Sequence, residues 1–110
     1  MLDLVSFGNK KSYEEFKTQI PPAILSKFDE LRQFCLELGE KLIEDVRMHR
    51  VVFCKSMVFR WFADFEPLHN SILIKIQKDR KMPVTSLEIL PDSDLKEIKI
   101  MIKDAYNSIH

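Results

Sequence analysis

The chain reads as an α+β protein: N-terminal helices, an antiparallel meander sheet of three to four strands, and a C-terminal helix packed on the sheet. Three observations predict it. Apolar residues Ile24, Phe28, Leu31, Cys35, Leu38 and Leu42 recur in alternating steps of four and three, the spacing of one helix face. Between Val46 and Gln77 the β-branched and aromatic content rises and the period becomes two, which suits strands with two different faces. From Leu95 the helical spacing returns through Ile98, Ile102, Ala105, Tyr106 and Ile109. Helices, then strands, then a helix closing the same apolar face is an α+β order.

The first element is a short helix opened by Ser12-Tyr13-Glu14-Glu15, a capping box in which hydroxyl and carboxylate satisfy opposite ends of the first turn. It ends before Pro21-Pro22, and those prolines suit the start of the second helix. Gly39 marks that helix's end or a local break. Strands are expected at residues 45–54, 59–65 and 71–77, with a fourth short one at 85–90. Residues 55–57 and 67–70 are short enough for hairpins, and 78–83 form a basic loop. Pro91-Asp92-Ser93-Asp94 offers N-caps for a final helix of about 16 residues, with Glu97 three positions after Asp94. Glycine occurs only at Gly8 and Gly39, and no linker or repeat divides residues 1–110, so they form a single domain.

Bulk composition excludes several classes. Seventeen basic residues balance seventeen acidic ones, so no global field draws the chain to nucleic acid or an anionic bilayer, and any such binding needs a local patch. The start Met1-Leu2-Asp3-Leu4-Val5 has no basic segment leading into an apolar run, and no window nears the roughly 20 apolar residues a bilayer demands. A cytoplasmic protein without membrane association is expected. Two distant cysteines, Cys35 and Cys54, make no disulfide framework, and Cys35 reads as a core residue.

Around residues 27–109 the chain resembles a small domain family of unknown function, described as predicted transport proteins and attached to nuclease-like or other uncharacterised domains. The resemblance rests on Phe28-Asp29-Glu30-Leu31-Arg32, the hairpins around Phe53 and Trp61, and the ending Asp94-Leu95-Lys96-Glu97-Ile98 with Ile102-Lys103-Asp104-Ala105-Tyr106. These are packing and capping positions, so the resemblance implies a fold and no catalytic residues. The chain departs from the family in a short basic connection before Ser86, where the family has a longer glycine-containing one. No attached domain is expected within residues 1–110, so an accessory role would imply action alone or with a partner in trans.

The densest segment, Arg60-Trp61-Phe62-Ala63-Asp64-Phe65, carries the site hypothesis. With period two, Phe59, Trp61, Ala63 and Phe65 face the core, while Arg60, Phe62, Asp64 and Glu66 face outward. Arg47, Arg60 and Lys75 around the Phe62 ring then make a basic aromatic platform, extended by Lys78, Arg80 and Lys81. Single-stranded DNA or RNA needs this pairing of cations for phosphate and a flat ring for bases. The structural alternative is a solvated face of cross-strand charge pairs.

No catalytic or metal-binding set stands out, and no cofactor is implied. His49 and Cys54, five apart on one expected strand, fall on opposite faces. His49, His69, His110 and Cys54 lack zinc-site spacing, and Asp92 and Asp94 serve better as caps than as calcium ligands. The expectation is a non-enzymatic binding or adaptor module for single-stranded nucleic acid. A protein-interaction module, homodimeric and without nucleic-acid affinity, is the alternative, suggested by Ile100 and Met101 beyond the main stripe of the last helix.

Overall fold

The computed structural model describes residues 12–109; Met1, Leu2, Asp3, Leu4, Val5, Gly8 and His110, which enter the sequence reading, lie outside them. Helix α1 (Tyr13–Lys17) opens with the expected capping box: the Ser12 hydroxyl accepts from the Glu15 N–H and the Glu15 carboxylate accepts from the Ser12 N–H. Helix α2 (Pro22–Leu36) starts on its prolines. Leu38 and Leu42 lie past its end, yet both pack against the core. The Tyr13 hydroxyl donates to Asp29, and the Arg32 guanidinium sits 3.8 Å over the Tyr13 ring. These contacts hold α1 and α2 as one unit.

Five strands follow, not three to four: β1 (Ile43–Val46), β2 (Val51–Cys54), β3 (Trp61–Pro67), β4 (Ile72–Ile76) and β5 (Thr85–Ile89). They form an antiparallel meander in the order β1-β2-β3-β4-β5. The extra strand arises because the single strand expected at 45–54 is a hairpin. Its turn lies at 47–50, where the Arg47 N–H donates to the Arg50 carbonyl at 2.8 Å. Helix α3 (Lys96–Ser108) packs on β3, β4 and α2. It is shorter than expected and begins after Leu95, with the Asp94 carboxylate accepting from the Lys96 N–H.

All three helices share one side of the sheet with a single core. The row Val46, Val51, Phe65, Ile74 and Leu87, read across the paired strands, faces them. Phe28 of α2 meets Phe65 edge-on, with ring centres 5.7 Å apart, and Phe53 packs on Phe65 from β2. Cys35 lies buried in this core, and burial pushes its thiol well above the usual range. A thiol so placed is a packing group, because nucleophilic cysteines need the opposite shift.

Candidate binding cleft on the sheet

The site depends on an irregularity in β3. Phe53 pairs with Ala63, but the next residue, Cys54, pairs with Trp61, so the register skips Phe62. A β-bulge of this kind re-aims side chains on either side of it. Phe62 and Ala63 both turn to the helices, and Trp61 turns to the opposite face with Asp64. Gln77 secures the extra residue: its N–H donates to the Phe62 carbonyl and its side-chain amide to the Trp61 carbonyl, each at 3.0 Å. Both carbonyls at the bulge are thus paired from the β4 side.

This corrects the strand phase read from the sequence. Phe62 has no exposed surface and meets Tyr106 of α3 edge-on at 5.3 Å, so it is a core residue and not the ring of a platform. Trp61, expected inside, is half-buried on the far face. Phe59, also expected inside, precedes β3 and is exposed.

Across that face runs the row Asp45, Val52, Asp64, Lys75 and Ser86, one residue from each strand. Part of it, with Arg47, Trp61 and Val84, lines a cleft of about 460 Å³. Two of the expected cations, Arg47 and Lys75, therefore share a surface with an aromatic ring, and the ring is Trp61. Arg47 also pairs with Asp45 at 2.9 Å. Arg50 spans the Asp64 and Glu66 carboxylates at 3.3 and 3.2 Å, so this face carries cross-strand charge pairs as well. Burial pushes the Asp64 carboxyl above the usual aspartate range, against the pull of Arg50, Lys75 and Arg47.

The remaining expected contacts lie elsewhere. Arg60 lines a separate cleft with Lys41 and Lys55. Lys78 pairs with Asp104 of α3 at 2.7 Å. Arg80 lies 5.5 Å over the Phe59 ring, and Lys81 follows it in the β4–β5 loop. The seven cationic and aromatic candidates thus separate into a core residue (Phe62), two residues of the sheet cleft (Arg47 and Lys75), Arg60 in a second cleft, and Lys78, Arg80 and Lys81 after β4. Sequence period misplaced Trp61 because a bulge breaks the period without a glycine or proline to announce it. Gln77, a polar side chain on the phase after Ile76, was the available signal.

Among the described residues no group of three His, Cys, Asp or Glu side chains is placed to hold a metal ion, and no helix is long and apolar enough to cross a membrane. Comparison with protein-family models, with curated proteins and with solved structures finds no match to this chain.

Proposed function

We propose that this chain is a non-enzymatic, cytoplasmic binding module that holds single-stranded DNA or RNA on the helix-free face of its sheet. The observation that supports this reading is the convergence of Trp61, Arg47 and Lys75 on one cleft. Trp61 offers the flat ring on which a base stacks, a contact that tolerates any base because every base has a π-face. Lys75 has no carboxylate within ion-pair distance among the described residues, and Arg47 keeps half its side chain exposed beside Asp45. Both have donors left for phosphate oxygens. The Ser86 hydroxyl adds a neutral donor at the cleft wall. Asp64 opposes an anionic ligand, and its raised titration range reduces that opposition as pH falls.

Fluorescence anisotropy of labelled oligothymidylate and oligouridylate tests the reading. Binding should saturate, weaken steeply with added salt through counterion release, and fall by about 1–3 kcal/mol in Trp61→Ala, the usual worth of a base–aromatic stack. Absence of binding at low salt rejects it.

A second reading, a homodimeric protein-interaction module, is favoured by one observation. Met57, Val58 and Phe59 in the β2–β3 loop and Met82 and Val84 before β5 are all exposed, and the contact of Arg80 with Phe59 brings the two loops together. Adjoining exposed apolar side chains of this kind suit a second copy of the chain. Sedimentation of wild type against Phe59→Ser decides it: a dimer that dissociates in the variant supports this reading, and a monomer at all concentrations removes it.

A further inference from the structure

A second cleft, sharing no residue with the first, lies beside the C-terminal end of α3 and is lined by Glu40, Lys41, Lys55, Ser56, Arg60, Tyr106 and Ile109, with a volume of about 550 Å³. We infer that this cleft is an anion site for a phosphate-type oxyanion. Lys17, Arg32, Arg47, Arg50, Lys78 and Lys99 each lie within ion-pair distance of a carboxylate. Lys41, Lys55 and Arg60 are three of the nine cations of the described residues without such a partner, and these three line one cleft. Glu40 is the single carboxylate among its lining residues, so cations exceed anions by two (three less one). That excess matches a phosphate dianion.

The neutral lining fits the same ligand. Ser56 and Tyr106 bring hydroxyls that can donate to an oxyanion. Tyr106 reaches the cleft because residue 39 is glycine: a Cβ there would sit 2.1 Å from the Tyr106 hydroxyl oxygen. The Lys55 ammonium stands 5.0 Å over the Tyr106 ring and 3.4 Å from the Ile109 carbonyl. Both are weak contacts that a phosphate oxygen can replace. The Arg60 Nε–H is buried with no hydrogen-bond partner, an arrangement that native structures avoid unless another group satisfies it. A small turn of the guanidinium toward a bound oxyanion gives that N–H an acceptor.

The test is a titration followed by ¹H–¹⁵N NMR at constant ionic strength, reading the Arg60 Nε–H resonance. Inorganic phosphate and phenyl phosphate are added in separate arms, with sodium chloride as the control. A saturable shift in either phosphate arm is expected, weakened about tenfold in Lys55→Gln by loss of a charge-assisted contact. It should persist in Trp61→Ala, which separates this site from the sheet cleft whether or not nucleic acid binds there. Tighter binding of phenyl phosphate identifies a phosphomonoester as the ligand class, and equal or tighter binding of inorganic phosphate identifies the free ion. Lys41→Gln, a change at an exposed position that leaves the core intact, should also weaken the shift. No saturable shift in the millimolar range, the same shift with chloride, or a shift undiminished in Lys55→Gln and Lys41→Gln overturns the site.

Discussion

At the scale of single residues, Phe62 and Asp64 show how strongly position overrides residue type. Phe62 has the composition of a stacking ring but fills the space between β3 and Tyr106 of α3. Phe62→Ala should cost about 3–5 kcal/mol of stability, the usual price of an emptied aromatic site, read as a lowered urea midpoint. It is accordingly a poor probe of binding. Asp64 lies under the opposite influence: burial holds its carboxyl above the usual aspartate range in the fold, so the native state binds that proton more tightly than the unfolded chain. Stability from this group is then lost as pH rises from the ordinary aspartate range through the raised one. Asp64→Asn should raise stability at neutral pH, and the gain should vanish in acid below the ordinary aspartate range. Urea titrations of both proteins across pH check this, and a constant difference at every pH contradicts it.

At the scale of elements, the bulge in β3 is the feature from which the sheet cleft follows. Without the skipped residue, Trp61 would point to the helices and Phe62 to the far face. Gln77 is the residue that makes the bulge affordable in hydrogen bonds, since it alone reaches both the Phe62 and Trp61 carbonyls. Gln77→Ala removes the side-chain bond to the Trp61 carbonyl and should cost about 1 kcal/mol. It should also red-shift the Trp61 emission as the ring loses its fixed place. A variant with wild-type stability and emission would show that Gln77 does not hold the bulge.

Much of this element plan was legible in the chain. The Ser12 capping box, the prolines opening α2 and the stripe of α3 act locally, through caps and one helical period, and the described structure has each of them. The β1–β2 turn escaped notice because Arg47, Met48, His49 and Arg50 include no glycine, proline or asparagine. The site was legible only in its chemistry. Arg47 and Lys75 reach one cleft as strand alternation implies, whereas Arg60 and Phe62 take other directions because the register shift is a tertiary fact.

At the scale of the whole molecule, a chain of zero formal charge distributes its cations unevenly. Some join elements through ion pairs, tying α2 to β1 and α3 to α2 and the β4–β5 loop, as in Arg32 with Glu44, Lys99 with Glu30 and Lys78 with Asp104. Such exposed or half-exposed pairs contribute little stability each. Among the cations outside those pairs, Lys75 lies in the cleft around Trp61, and Lys41, Lys55 and Arg60 lie together in the cleft beside α3. Binding at either should therefore be local and salt-sensitive, with no long-range capture of polyanions by the rest of the surface.

The chain contains one tryptophan, and it is the residue on which the central claim rests. Its intrinsic fluorescence, titrated with oligothymidylate and oligouridylate at low and physiological salt, reports directly on stacking at the sheet cleft. A saturable quench that weakens with salt and is reduced in Arg47→Gln and Lys75→Gln is the expected result. Emission that stays unchanged at low salt, or a quench equally strong in both variants, would contradict a nucleic-acid site built from Trp61, Arg47 and Lys75.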